Sequence, residues 1–247
     1  MPESRIMEVV GRSWTSRQRL RQELSDFRDS PKYGRTLYLS SITTTSLSPI
    51  GISPNVIAGS SDLGTGAAIF YGDKFATVVI PPFPLQENSD EEGVDIGPML
   101  DLLERPVIVG VVLLRLGQYA VGVIKDGKLL ASKSGSRYVK NRHRKGGSSQ
   151  RRFERSRERL MLELFGKVCS VTEKVFSPYE RVLDYMLMGG ERQTLLSFTK
   201  KCGYITRSGI EILPRRLDVN RPGKAALESI DREVWMSRVI QFELRDS

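Results

Sequence analysis

Residues 107–176 constrain the fold more tightly than any other part of the chain. Val107 to Arg115 is an apolar, β-branched run, Gln118 to Ile124 follows after Leu116-Gly117, and Asp126-Gly127 leads into Lys128 to Lys133. Asp-Gly between two such runs is a strong hairpin signal, so three strands in meander order are expected. Phe153, Leu160, Met161, Leu164, Phe165, Val168, Val171, Thr172 and Val175 then repeat with a 3.6-residue period until Pro178. That stripe predicts one helix over Gln150–Phe176, and its 27 positions span about 40 Å at 1.5 Å per residue. Proline stops it by removing a donor and clashing with the preceding turn. The stripe is thinnest in the first three turns, so the N-terminal end of the helix is expected to project beyond the core.

Downstream, Val182 to Met188 predicts a strand and Glu191 to Lys200 a helix. Pro222 suits the first position of a helix running to about Arg232, and Trp235 to Leu244 predicts a closing strand. The order is β-β-β-α-β-α-α-β, an α+β or α/β arrangement with a mixed sheet and flanking helices. Upstream, Leu20, Leu24 and Phe27 mark a helix over Thr15–Arg28, and Thr36 to Ser41 a short strand. Ser40 to Thr65 is rich in Ser, Thr, Gly and Pro and predicts a surface loop. Ala67–Tyr71 and Phe75–Ile80 flank Gly72-Asp73-Lys74 as a hairpin, and Met99–Leu103 forms a short helix. Pro81 to Gly97, with the acidic run Asp90, Glu91, Glu92, is the candidate linker. The expected organisation is a small α/β region over 1–97 and the main domain over 98–247.

Cys169 and Cys202 stand far apart without Cys-x-x-Cys spacing. This argues against a disulfide framework and a cysteine zinc site, and it suits a reducing cytoplasm. The longest apolar run, Val107 to Leu114, is strand-length, and the N-terminus has no apolar signal segment. A cytoplasmic protein that does not use a membrane is expected.

Charge is concentrated in one place. The chain has 38 basic and 29 acidic residues, a formal net charge of +9. Residues 133–160 alone hold eleven basic side chains against only Glu154 and Glu158, which leaves 27 of each sign elsewhere. All the excess therefore sits in one segment, as a phosphate-binding surface requires. A merely solubilising helix face would mix both signs.

The centre of that segment reads Ser136-Arg137-Tyr138-Val139-Lys140-Asn141-Arg142-His143-Arg144-Lys145-Gly146-Gly147-Ser148-Ser149-Gln150-Arg151-Arg152-Phe153. Gly146 and Gly147 admit positive φ and close backbone approach. Arg137, Lys140, Arg142, Arg144, Lys145, Arg151, Arg152 and Arg155 can hold RNA phosphates, with arginine offering a bidentate fork. Gln150 both donates and accepts hydrogen bonds, and it sits where a helix begins and exposed amides can receive an anion. Each piece has a plainer reading: Gly-Gly-Ser-Ser is also a flexible linker with a serine cap, and Gln150 also an ordinary polar helix residue.

Taken together, the segment resembles the catalytic loop of the release-factor-like family of ribosome-associated quality control. That family is related to eukaryotic and archaeal class 1 release factors and carries a Gly-x-x-Gln variant of their Gly-Gly-Gln motif. Gly147 to Gln150 fits the variant; Ser148 and Ser149 separate Gly147 from Gln150, a departure from Gly-Gly-Gln itself. The resemblance spans about Arg105 to Leu244, with a weaker likeness in the Ala67–Ile80 hairpin. It implies a ribonuclease-H-like fold and hydrolysis of the peptidyl-tRNA ester, with the large ribosomal subunit and peptidyl-tRNA as partners. It also implies Gln150, Gly146, Gly147, Ser148 and Ser149 as the catalytic loop, a monomer, and no cofactor or metal. His143, the sole histidine, lacks a nearby carboxylate and is expected to contact RNA or lie on the surface.

Other classes stay in view. Two-metal nuclease chemistry needs clustered carboxylates, and neither Val107–Arg115 nor Gln118–Ile124 holds one. A metal-independent tRNA 3′-end nuclease and a non-catalytic ribosome- or RNA-binding protein both remain compatible with the residues. Gly189-Gly190 before a helix is a strand-to-helix turn rather than a phosphate cradle.

Overall fold

The computed structural model describes residues 6–42, 47, 50–53, 57, 63–137 and 149–245. The chain divides into two compact units, residues 1–105 with 232–247, and residues 106–231.

The first unit is built on a six-stranded antiparallel sheet. Its strands are β1 (Met7–Thr15), β2 (Arg35–Leu39), β3 (Ala67–Tyr71), β4 (Phe75–Ile80), β5 (Ser89–Glu92) and, from the far end of the chain, Ser237–Leu244. They lie in the order β1, Ser237–Leu244, β4, β3, β2, β5. Helix α1 (Arg17–Arg28) packs Leu20 and Leu24 on one face, where Phe27 meets Phe70 at 5.2 Å between ring centres. Helix α2 (Gly97–Glu104) adds Met99 and Leu103. On β3, Ala67 and Ile69 join Leu47, Ile50, Ile52 and Ile57 in a buried apolar cluster, while Phe70 meets α1.

Three expectations change here. The Ser/Thr-rich stretch 40–65 does more than loop over the surface, because four of its apolar side chains are buried in the sheet's core. A sheet covered on both faces needs a second layer, and these spaced isoleucines and a leucine supply it. Residues 81–97 are not a linker. Ser89–Glu92 pairs with β2, Phe83 is fully buried against Trp235, and Thr36 Oγ1 donates to Gly93 O while accepting from Asp95 N–H. Finally, Trp235–Leu244 does not close the downstream sheet: Ser237–Leu244 pairs with β1 and β4, in the interior of the first.

The second unit carries β6 (Ile108–Arg115), β7 (Gln118–Lys125), β8 (Lys128–Ser136), the long helix α3 (Ser149–Phe176) and β9 (Tyr185–Gly190). Helices α4 (Arg192–Lys201) and α5 (Gly203–Ser208), strand β10 (Ile212–Leu217) and helix α6 (Lys224–Ser229) follow. Strand order is β10-β9-β6-β7-β8, antiparallel through the β6-β7-β8 meander and parallel for β6-β9 and β9-β10. An antiparallel meander extended by parallel strands reached through helical crossovers is the ribonuclease-H-like arrangement. The meander turns follow the sequence: Asp126 at φ 46° and Gly127 at φ 75° give the doubly left-handed corner that matches strand twist.

Residues Val109 to Leu114 of β6 are buried without interruption, because both faces of this central strand are covered. On one face α3, α4 and α5 contribute Leu164, Phe165, Val168, Phe176, Phe198 and Tyr204 to the core. Gly110 is the point of closest approach. A Cβ there would lie 2.7 Å from Cζ of fully buried Phe176, so only glycine lets the end of α3 settle on the sheet. Leu227 of α6 reaches Gly122 on β7, where an added Cβ would lie 3.1 Å from it. Strand β10 was not expected. It reads Ile-Leu-Pro-Arg-Arg-Leu, and Pro214 is tolerated because the strand is at the sheet edge.

The cysteines also depart from expectation. Cys169 on α3 and Cys202, which caps both α4 and α5, form a disulfide with Cα atoms 5.3 Å apart. The spacing of 33 residues gave no sign of this; packing α3 against the α4–α5 corner brings the two side chains together.

Candidate nucleic-acid interface

The basic segment leaves the sheet at the end of β8. That strand continues to Ser136, three residues past the Lys133 end expected from the sequence. Gly135 faces Tyr119 across the ladder, and a Cβ on it would lie 2.6 Å from the phenol oxygen. The Arg137 N–H donates to Gly117 O at 2.9 Å, and its guanidinium pairs with Glu163 of α3 at 2.5 Å. Arg137 is therefore tied back to the helix that carries the motif. Both partners are partly exposed, so the pair is worth at most about 1 kcal/mol. Its effect is on position: it fixes where the chain departs.

The chain re-enters as the first turn of α3. Its 28 residues rise about 42 Å. Among those whose side chains are described, the first to touch the core are Leu160 and Met161, and the first fully buried is Leu164. Counted over the described side chains, the helix thus rises roughly 16 Å from Ser149 before one of them joins its core, and this N-terminal third forms the finger. Along it Arg152, Glu154, Arg155, Glu158 and Arg159 are exposed. The first turn carries no acidic residue. Its free amides and the helix dipole present partial positive charge, to which the arginines add full charge.

The root of the finger is held hard. Phe176 lies over Gly110, the rings of Phe165 and Phe198 meet edge-on at 5.8 Å, and the Cys169–Cys202 bond crosses to α4. On the surface, Glu173 pairs with Arg207 of α5 at 2.8 Å.

Of the residues singled out from the sequence, Arg152 and Arg155 lie exposed on the finger, and Arg137 stands at its base. Ser149, Gln150 and Arg151 form the first turn of α3, described as backbone only. Lys140, Arg142, His143, Arg144, Lys145, Gly146, Gly147 and Ser148 lie outside the described residues. Sequence reasoning did not single out Arg159 as a site residue. Counting seven positions from Arg152 would have placed it on the same helix face. Glu163 had no comparable signal, since its partner comes from another element. Among the described residues no group of three or more His, Cys, Asp or Glu side chains is placed to hold a metal ion, and no helix is long and apolar enough to cross a membrane.

A ribonuclease-H-like sheet that sends out an arginine-lined helical finger, with Gly-Gly-Ser-Ser-Gln leading into its first turn, defines a release-factor-like protein. Residues 108–240, just over half of the chain, match the model of the Actinobacteria/Chloroflexi VLRF1 release factors, and the chain belongs to that family. Among curated proteins it is similar to peptide chain release factor subunit 1 of Archaeoglobus fulgidus, 28% identical over 129 residues, covering 51% of this chain and 32% of the relative. The same factor of Pyrobaculum aerophilum is 31% identical over 140 residues, covering 55% and 35%. The matched region therefore spans about a third of these relatives' length. Among solved structures, the archaeal translation termination factor aRF1 aligns over 89% of this chain and 70% of its own, at 14% identity and a TM-score of 0.35. The Vms1 mitochondrial localization core aligns over 85% and 97%, at 13% identity and 0.38.

Proposed function

We propose that this protein hydrolyses the ester joining a nascent peptide to the 3′ ribose of tRNA, on stalled large ribosomal subunits in the cytoplasm. The observation that carries the reading is the position of Gln150. It lies in the first turn of a helix whose described side chains join the core only from Leu160, two serines after Gly146-Gly147 and in a segment where basic residues far outnumber acidic ones. Such a finger is shaped to carry an amide into a narrow, anionic RNA cavity. Arg142, Arg144, Lys145, Arg151, Arg152 and Arg155 neutralise phosphates on the way in, and Gly146 and Gly147 let the backbone come close.

At the ester, the Gln150 amide orients a water for attack on the acyl carbon. A backbone N–H of the first turn, which has no intrahelical acceptor, donates to the oxyanion of the tetrahedral intermediate. The acyl–oxygen bond breaks, the 3′ oxygen takes a proton, and a free peptide carboxylate leaves an intact tRNA. One such donor is worth about 3–4 kcal/mol of barrier. No side chain of the motif is an evident general base, so the ribose hydroxyls and the ribosome complete the environment. The protein acts as a monomer and needs no cofactor.

The test is incubation with stalled large-subunit complexes carrying peptidyl-tRNA, followed by separation of the products. Free peptide with full-length tRNA is expected, and Gln150→Ala should abolish release while sparing subunit binding. A tRNA shortened at its 3′ end would make the protein a nuclease, and undiminished release by Gln150→Ala would remove the glutamine from the chemistry.

A further inference from the structure

The acidic run of the first unit has no part in the chemistry of the finger. Residues 75–104 hold seven acidic side chains and no basic one, in a chain whose net charge is +9. Two of the seven are neutralised from elsewhere: Asp90 pairs with Arg35 at 2.9 Å and Glu104 with Arg21 at 2.6 Å. Four others, Glu87, Glu91, Asp95 and Asp101, line one cavity of about 570 Å³. Among the described residues none of these four forms an ion pair.

Strand register explains the sorting. Glu91 lies opposite Thr36 and Ser89 opposite Tyr38, so both share the face of Tyr38, while Asp90 and Glu92 alternate to the other. Asp95 is fixed by two bonds: its carboxylate accepts the Gly97 N–H at 2.8 Å, and its carbonyl accepts the Tyr38 hydroxyl at 2.9 Å. Glu87, Glu91 and Asp101 are exposed. Burial first, then the charges of Asp95 and Asp101, hold the Tyr38 phenol above its ordinary value. The same cavity is lined by Pro84, Leu85, Pro98 and Leu102, and Arg105 is the only basic residue on it. The carboxylates do not form a metal site, since among the described residues no group of three or more is placed to hold an ion. They also repel nucleic acid.

We propose that this groove binds an extended basic peptide segment of a partner protein. Successive side chains of an extended peptide point to opposite sides, so one set rests on the prolines and leucines while lysines or arginines meet Glu87, Glu91 and Asp101. Charge complementarity selects the occupant. A protein of net charge +9 repels cations as a whole, and a cationic peptide is drawn only to the surface where acids go unanswered. The site belongs to the first unit and stands whether or not Gln150 performs hydrolysis.

The experiment is calorimetric titration of the full chain with an octapeptide of alternating lysine and leucine, and with one of alternating lysine and serine. The lysine–leucine peptide should bind, and its lysine–serine counterpart at least about tenfold more weakly, because it has nothing to set on the apolar lining. Glu91→Gln and Asp101→Asn should each weaken binding about two- to fivefold, and together about tenfold. Glu92→Gln, on the opposite face of β5, should change nothing, and all these exposed substitutions should keep the wild-type Tm. No binding of the lysine–leucine peptide overturns the proposal, as does wild-type affinity in the double variant. Equal affinity for the two peptides, or an equal loss in Glu92→Gln, would reduce the effect to diffuse attraction and overturn it too. Sedimentation velocity covers the remaining occupant: self-association that the double variant abolishes would assign the groove to the basic segment of a second copy, and the foreign partner would fall.

Discussion

Reducing the Cys169–Cys202 bond should loosen the second unit by an amount that can be worked from its position. The bond closes a loop of 33 residues containing the end of α3, all of β9 and all of α4. In the chain-entropy account a loop of that length removes about 12.5 cal/mol/K from the unfolded ensemble, or roughly 3.7 kcal/mol at 25 °C. At about 2–4 °C per kcal/mol for a protein of this size, reduction should lower the Tm by roughly 10 °C. The native packing of Phe165, Phe176 and Phe198 does not depend on the bond, so the reduced protein should still fold. The assay is calorimetry of oxidised protein with and without a phosphine reductant, paired with iodoacetamide labelling and intact mass. Two alkylations should appear after reduction and none before. Ready alkylation of both cysteines in unreduced native protein would refute the pairing. A Tm change under about 2 °C would refute the loop-entropy argument. A reducing cytoplasm would favour the dithiol, so the value for oxidised protein sets the upper limit of stability there.

Charge reversal at Arg144 and Lys145 should weaken binding to ribosomes and flatten its salt dependence; an unchanged slope in a sedimentation titration would count against the cationic segment. Gly110→Ala should cost about 1–3 kcal/mol in urea unfolding, because the new methyl must displace the Phe176 ring, and Phe176→Leu in the same chain should recover part of it. Of the eight tyrosines, Tyr204 has its phenol pushed up to about 12 by burial and then by Glu180 and Glu173, and burial raises Tyr38 further still. Both are neutral in the folded state, and their folded pKa values exceed the unfolded value. The stability they contribute is present below about pH 10 and is lost as pH climbs toward 12. Ultraviolet titration should show two phenols ionising only with unfolding, and early ionisation of all eight would contradict their burial.

Much of the second unit was legible in the primary chain because its signals are local. Asp126-Gly127 dictates a hairpin through two residues' own φ preferences, and the α3 stripe dictates a helix through side chains three and four apart. The finger, too, followed from charge and apolar spacing without any knowledge of neighbours. What escaped lacked local cues. Strand β10 hid behind Pro214, which is tolerated because that strand lies at a sheet edge, and behind two arginines, of which Arg215 is buried. Leu47, Ile50, Ile52 and Ile57 looked like stray apolar residues in a polar loop until a sheet face needed them.

The amino-acid order alone determined that a β-meander would be followed by one long amphipathic helix beginning at a cationic Gly-Gly-Ser-Ser-Gln. Propensity, periodicity and charge act over a few residues and need no partner. Tertiary structure alone decided that Ser237–Leu244 joins a sheet begun more than 200 residues earlier, that Cys202 meets Cys169, and that Arg137 binds Glu163 rather than standing free for phosphate. Each of these joins distant segments through the packing of whole elements, and side-chain geometry across such distances leaves no trace in the order of neighbouring residues.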